Sequence, residues 1–178
     1  MSMTVKAGDQ LPSVGLRASD GFLLNLRSFV TKQPVAFLFF GAPTLQAAAR
    51  RKGLKAVEAL AEGHDRLREA GIVVVGVSCD SEQQQADFVA QTKLPFLLFS
   101  DERRSAVELL GISTVAKEAN VNVARPVAIA ADRDGEVRAI IEKIDPESLV
   151  DGLMQALSEP MPPVPAATAP TEEPSSGS

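Results

Sequence analysis

Cys79 carries the single thiol in this chain of 178 residues, in the segment 76–81 (Gly-Val-Ser-Cys-Asp-Ser). An ionised thiol is a nucleophile and a redox group, and a nearby cation or helix N-terminus favours that ionised form. A helix is predicted to begin at Ser81, and Arg125 is predicted to enter a strand at the same edge of the sheet. One hypothesis is therefore a redox-active Cys79 with Arg125 as its electrostatic helper.

The second hypothesis is that Cys79 is a small, neutral residue chosen to fill a turn. The chain has no second cysteine, so an intrachain disulfide is excluded, and a sulfenic acid on Cys79 would need an external thiol for its reduction. With one His and one Cys, the chain has too few ligands of these types to close a zinc site. We expect neither a metal nor a cofactor.

Composition limits the possible partners. A net charge of −5 argues against a surface for nucleic acid or for an anionic membrane, both of which require clustered basic residues. The longest apolar runs, 34–40 and 72–77, fall far short of the roughly 20 residues that cross a bilayer. Residues 1–6 do not resemble a secretory signal. Together with the single cysteine, these features predict a cytoplasmic protein.

Two buried strands are predicted at the centre of the fold. Segments 35–40 and 72–77 are apolar on both faces, which is typical of parallel strands covered by helices. Between them, residues 45–70 show the apolar spacing of a helix, which Gly53 and Gly63 weaken enough to predict a break or kink. This β–α–β order makes the two strands parallel neighbours through a right-handed crossover.

Two hairpins flank this centre. Asp20-Gly21 predicts a tight turn between strands at 14–18 and 22–26, and a second hairpin is predicted from strands at 127–131 and 137–141. The second hairpin should extend the sheet antiparallel. The predicted fold is a three-layer α/β/α sandwich with a mixed central sheet and an N-terminal β-hairpin.

Residues typical of helix starts and helix ends predict three more helices. Ser81 and Gln84 form a capping-box pair, residues 105–110 read as a short helix closed by Gly111, and a final helix is predicted from Pro146 to about residue 157.

The chain divides into one folded domain and a tail. We assign residues 7–157 to the domain and residues 158–178, rich in Pro, Ala and Ser, to a disordered tail that could serve in docking. His64 stands in a polar stretch of the predicted helix and is expected on the surface.

Five motifs occur in an order that resembles a known family. They are residues 8–12, Asp20-Gly21, 76–81, 94–101, and Arg125 with the hairpin that follows it. Each is weak alone, but their order and spacing are similar to those of the peroxiredoxins (AhpC/TSA family). The most similar type is the bacterioferritin-comigratory and alkyl hydroperoxide reductase C group. The resemblance covers nearly the whole domain and implies a thioredoxin-like fold.

The resemblance also implies a site from which one part is missing. In that family a Pro-x-x-x-Thr-x-x-Cys motif and an arginine hold the peroxide, and the thiolate attacks the O–O bond. Here Pro43 and Thr44 are adjacent, Ala47 and Arg50 stand four and seven positions after Pro43, and no cysteine precedes Cys79. The motif's arginine corresponds to Arg125.

Two functions follow from this resemblance. The first is a binding or scaffold domain without the usual peroxidase activity, in which Pro43, Thr44 and Pro126 line a vestigial rim. The second is a thiol-dependent antioxidant oxidoreductase or redox sensor that uses Cys79 and Arg125. The expected partner is an unidentified protein or an external thiol reductant, and a homodimer is in keeping with the family. Pro126 occupies a place where such folds often carry a cis-proline, and its isomer stays open.

Overall fold

A computed structural model gives the fold of residues 3–18, 22–29, 33–41, 47–117 and 120–158. Seven strands form one mixed sheet, in the order β2-β1-β5-β4-β3-β8-β9, and two more strands form a separate hairpin. Within these ranges the strands are β1 (Gly15–Ala18), β2 (Leu23–Asn25), β3 (Val35–Phe39), β4 (Val73–Ser78), β5 (Leu97–Ser100), β6 (Thr114–Lys117), β7 (Asn120–Val123), β8 (Val127–Ala131) and β9 (Val137–Ile141). The helices in the same ranges are α1 (Leu26–Phe29), α2 (Ala47–Glu62), α3 (His64–Glu69), α4 (Glu82–Thr92), α5 (Ser105–Leu110) and α6 (Leu149–Ser158).

The centre of the sheet is parallel, as the apolar runs predicted. β3 and β4 pair in parallel from Val35↔Val73 to Phe39↔Val77, and all five residues of β3 are buried. β5 then pairs in parallel with β4, ending at Ser78↔Ser100. β-Branched and aromatic side chains fit such a strand because both of its faces pack against helices.

Antiparallel strands complete both sides of the sheet. β8 pairs with β3 and β9 pairs with β8, so the predicted hairpin extends the sheet as expected. On the other side, the N-terminal hairpin of β1 and β2 joins the sheet through β5. The predicted mixed sheet is therefore confirmed, with β5 as an additional parallel strand that the sequence had shown only as a short apolar run.

Two apolar clusters cover the two faces of the sheet. Helices α2, α3, α4 and α6 contribute buried residues to one cluster, whereas α1, α5 and the N-terminal segment contribute to the other. The three-layer α/β/α arrangement is thus confirmed. Within the ranges given above, none of the helices has the length and apolar character that crossing a bilayer demands.

Gly63, and not Gly53, separates the two helices between β3 and β4. Gly63 has φ −91° and ψ 8° and lies between the end of α2 and the start of α3. Gly53 instead lies within α2, where the helix approaches the end of β3: a Cβ built on Gly53 would lie 3.0 Å from the Gly41 carbonyl oxygen. Its missing side chain permits that close contact.

The remaining helix boundaries follow local hydrogen bonds. Ser81 and Gln84 form the predicted capping box at the start of α4, and Gly111 ends α5 with φ +75°. The last helix begins at Leu149, three residues after the predicted Pro146, because the Ser148 N–H donates to the Asp145 carbonyl in a preceding turn.

Candidate functional site

The strand register brings Cys79 and Arg125 to the same end of the sheet. β3 pairs with β4 up to Phe39↔Val77 and with β8 up to Phe39↔Val127. Cys79 comes two residues after Val77, and Arg125 comes two residues before Val127. Both lie at the carboxyl ends of β3 and β4, where open α/β sheets hold their ligands.

Cys79 is buried in this turn. Its relative exposure is 8%, and it belongs to the apolar cluster on the α5 side of the sheet. Burial, followed by the negative charges of Asp101 and Asp80, raises the pKa of the Cys79 thiol from its ordinary value of 9.0 to about 12. Desolvation and carboxylates therefore oppose the thiolate, and help from a helix N-terminus and from Arg125 stays a prediction.

Arg104 is a cation that acts on Cys79. Its charge lowers the pKa of the thiol, against the rise caused by burial, Asp101, Asp80 and Glu108. Arg104 stands just before α5 with φ +62°, and its side chain is exposed. Arg125 is also exposed to solvent. The loop after β5 thus places a positive charge near the thiol, which the sequence had not predicted.

Asp101 is fixed by the start of α5. Its two carboxylate oxygens accept hydrogen bonds from the backbone N–H groups of Ala106 (3.1 Å) and Val107 (2.9 Å). Burial raises the pKa of Asp101, although these N–H donors stabilise its ionised form. The carboxylate therefore stabilises the start of α5, and its negative charge also raises the pKa of the Cys79 thiol.

Further polar side chains hold the turn that contains Cys79. The Ser100 hydroxyl donates to the Asp80 carbonyl at 2.6 Å, and Gln85 Nε2 donates to the Ser78 hydroxyl at 2.9 Å and to the Phe99 carbonyl at 2.8 Å. Gln85 is 99% buried. These contacts join the ends of β4 and β5 to α4, so the backbone around Cys79 is closely held.

The segment between β3 and α2 contains the residues that correspond to the family motif. Pro43 and Thr44, predicted to line the rim, lie outside the described residues. α2 begins at Ala47, three positions after Thr44. That separation is the Thr-x-x-Cys spacing of the family motif, so Ala47 stands at the motif's cysteine position when the motif is counted from Thr44, whereas Arg50 stands there when it is counted from Pro43. The close contact between Gly53 and Gly41 places this helix against the end of β3.

Pro126 is buried next to Arg125, and the peptide bond that joins them is trans. This settles the isomer that the sequence left open. Across the described ranges, no group of three or more His, Cys, Asp or Glu side chains is arranged to hold a metal ion.

Sequence reasoning found Cys79 and Arg125 but missed Asp101, Arg104 and Gln85. The available signal was the buried carboxylate that follows each of the neighbouring strands β4 and β5, Asp80 after the first and Asp101 after the second, because buried strand ends rarely carry carboxylates without a structural partner.

The sheet has a central parallel pair of strands and an antiparallel extension, and Cys79 and Arg125 lie at one end of it. This arrangement is a thioredoxin-like fold. Among solved structures, the fold is similar to peroxidoxin BcpB from Mycobacterium tuberculosis, with a TM-score of 0.72 and 19% identity over 85% of this chain and 95% of that one. It is also similar to the bacterioferritin comigratory protein of Xanthomonas campestris, with a TM-score of 0.67 and 18% identity over 85% and 96% of the two chains.

Comparison of the sequence with protein families and with known proteins identifies the family. The profile of the AhpC/TSA family matches residues 7–140, and the chain belongs to this family. It is 25% identical over 159 residues to peroxiredoxin Bcp of Escherichia coli (strain K12), across 87% of this chain and 97% of that protein. The predicted family resemblance is confirmed.

Proposed function

We propose that this chain is a peroxiredoxin-family protein that does not work as a peroxidase and serves as a binding or scaffold domain. The observation that carries the proposal is the state of its one thiol. Cys79 is 8% exposed, and burial and neighbouring carboxylates raise its pKa to about 12. The position of the family motif's cysteine holds Ala47 when counted from Thr44 and Arg50 when counted from Pro43, and neither carries a thiol.

Peroxide reduction requires a thiolate. The thiolate sulfur attacks one oxygen of the hydroperoxide, the O–O bond breaks, and the other oxygen leaves and takes up a proton as an alcohol or water. The sulfur is oxidised to a sulfenic acid. At pH 7 a thiol with a pKa of about 12 is ionised in about one molecule in 10⁵, which removes most of its reactivity.

Burial adds a second obstacle. A hydroperoxide must reach the sulfur in line with the O–O bond, whereas Cys79 is packed within an apolar cluster. The turn is also held by the Ser100 and Gln85 hydrogen bonds, so opening it would break several contacts.

The competing function is a redox sensor or thiol oxidoreductase. Its support is the register that brings Cys79 and Arg125 to one sheet end, together with the alkyl peroxide reduction activity described for the similar Xanthomonas protein. Such an activity would need an external thiol as reductant, because the chain has no second cysteine.

Peroxide treatment separates the two functions. The purified protein is exposed to hydrogen peroxide with a sulfenic-acid trap, and its intact mass is followed over time. We expect Cys79 to react no faster than free cysteine at the same pH. A rate orders of magnitude higher, abolished in Cys79→Ser and reduced in Arg125→Ala, would overturn the non-catalytic proposal.

The Cys79→Ser variant also tests the binding role. If the chain acts as a cytoplasmic scaffold, its association with a partner or with a second copy must not depend on the thiol. Size-exclusion chromatography with light scattering should therefore give the same mass for the unaltered chain and for Cys79→Ser. A mass that changes with this substitution would favour the thiol-dependent alternative.

A further inference from the structure

A groove lies at the opposite end of the sheet from Cys79. It has a volume of about 390 Å³ and is lined by α3, by the first residues of β4, and by the segment that leads from α4 into β5. β4 runs from this groove towards Cys79, and its last lining residue, Val75, is four residues and hence about 13 Å of strand from Cys79. The groove is therefore separate from the candidate site.

The floor and walls of the groove are apolar. Ile72, Val74 and Phe96 are buried and form its base, while Val89 and Leu94 are half-buried along its sides. A groove of this volume with mostly aliphatic and aromatic walls has the properties of small-ligand sites. At about 30 Å³ for each water-sized group, it accommodates a ligand of on the order of ten non-hydrogen atoms.

Two basic side chains stand at the edge of the groove. His64 and Arg68 are four residues apart on α3, so they share one face of that helix. The His64 ring packs 6.3 Å from the Phe96 ring, centroid to centroid, with the planes tilted by 30°. His64 is half-buried, whereas the sequence predicted a surface histidine. Its contact with Phe96 directs it to the groove.

The charge of the lining is one-sided. Arg68 donates to Asp65 at 3.3 Å, but a guanidinium has five N–H donors, so this exposed contact leaves donors for a ligand. Among the described residues that line the groove, none is Asp or Glu. An apolar channel with donors at its edge is complementary to a molecule with an apolar body and one anionic head.

From this geometry we propose that the groove between α3 and α4 binds small amphiphilic carboxylates, with the acyl chain against Ile72, Val74 and Phe96 and the carboxylate at Arg68 and His64. The proposal does not depend on whether the chain reduces peroxides. A failure here would leave the proposed function untouched.

Octanoate is a suitable probe, with 1-octanol as its uncharged counterpart. The chain contains no Trp or Tyr, so ¹H–¹⁵N correlation spectra replace intrinsic fluorescence as the readout. We expect saturable shifts of the amides of residues 72–75 and 94–97, with a dissociation constant on the order of 1 mM or below for a ligand of about ten atoms. Octanol should bind about tenfold more weakly, because it lacks the charge-assisted hydrogen bond.

Three variants test the assignment. Arg68→Gln should weaken octanoate binding about tenfold and leave octanol binding unchanged. Val89→Trp should block both ligands by filling the groove. Arg66→Gln is the matched control, since Arg66 is equally exposed on the same helix but bonds to Asp151 outside the groove, and it should not alter binding.

The outcomes that overturn the proposal are distinct. Absence of saturable shifts, or shifts confined to the Gly41 and Cys79 end, would show that the groove is not the site. Equal affinity for octanol and octanoate, or equal loss in Arg66→Gln and Arg68→Gln, would remove the role of the basic pair. If Val89→Trp does not fold, the exposed Arg68→Gln still decides the question.

Discussion

Cys79 and Asp101 follow neighbouring parallel strands one register step beyond the Ser78↔Ser100 pair, and the Asp101 carboxylate raises the pKa of the Cys79 thiol. The Asp101 N–H donates to the Ser78 carbonyl at 2.8 Å, which fixes the two strand ends to each other. The same strand geometry that gives this family a ligand rim thus places a carboxylate beside the thiol.

Replacing Asp101 by Asn should lower the pKa of Cys79. The substitution removes one negative charge near the thiol while keeping an oxygen that accepts one of the two backbone hydrogen bonds. We expect the ionised fraction of the thiol to rise, and hence alkylation by iodoacetamide at pH 8 to be up to about tenfold faster. The measurement is the alkylation rate across a pH series, followed by intact mass.

Glu102→Gln is the matched control for this charge change, because Glu102 is adjacent in sequence and exposed to solvent. It should leave the alkylation rate unchanged. Equal acceleration in both variants would indicate a general opening of the loop, and urea unfolding of Asp101→Asn identifies that case.

A cysteine placed at Ala47 should restore part of the lost chemistry. Ala47 is the first residue of α2 and stands three positions after Thr44, the spacing of the family motif. A helix N-terminus lowers the pKa of a thiol. In a Cys79→Ser background, Ala47→Cys should form a trapped sulfenic acid at least about tenfold faster than Cys79 does in the unaltered chain.

Ala49→Cys in the same background gives the comparison for this experiment. It introduces a thiol into the same first turn of α2, but without the spacing to Thr44. A rate for Ala47→Cys no higher than that for Ala49→Cys would show that the rim no longer supports the motif's chemistry.

Much of the fold could be predicted because its signals are local. The apolar runs at 35–40 and 72–77, the Ser81–Gln84 box and Gly111 each act within a few residues of chain. Whether the helix breaks at Gly53 or at Gly63 could not be predicted from neighbouring residues in the sequence. It depends on α2 lying against Gly41 and on α6 lying against Gly63.

The environment of Cys79 could not be predicted for the same reason. Arg104 and Asp101 lie in the loop after β5. The sequence showed β5 only as a short apolar run and did not predict that it is a strand of the sheet. Without β5 next to β4, the nearest predicted cation was Arg125. The hairpin of β6 and β7 was also missed, since its residues lack the apolar runs of the main sheet.

Asp132 makes the β8–β9 turn sensitive to acid. Burial alone would raise the pKa of Asp132, but hydrogen bonds from the Arg138 side chain and from the Glu136 and Asp134 N–H groups outweigh it, and the pKa is lowered. A lowered pKa in the folded state contributes stability above pH 3.8 that is lost as the pH falls through the folded value.

Asp132→Asn should therefore reduce the free energy of unfolding at pH 7 by about 1–3 kcal/mol, because it removes a partly buried bond to Arg138. It should also flatten the pH dependence below about pH 5. Urea unfolding followed by circular dichroism at several pH values measures both. Asp134→Asn is the exposed control in the same turn, and a pH profile of Asp132→Asn identical to that of the unaltered chain would contradict the assignment.

Gly63 is required for the contact between α6 and the α2–α3 junction. A Cβ on Gly63 would lie 2.5 Å from Val150 Cγ2 and 3.0 Å from Cγ1, and the branched Val side chain has little freedom to turn away. Gly63→Ala should therefore destabilise the fold by about 1–3 kcal/mol through overpacking.

The neighbouring helix supplies the comparison that isolates this contact. Gly152 lies within α6, where an added Cβ would meet Ile141 at an ordinary 3.7 Å. Gly152→Ala should stabilise the protein by up to about 1 kcal/mol, because Ala is the better helix former. In the Val150→Ala background the cost of Gly63→Ala should largely vanish, and a cost that persists there would show that the backbone at Gly63, and not its packing against α6, requires glycine.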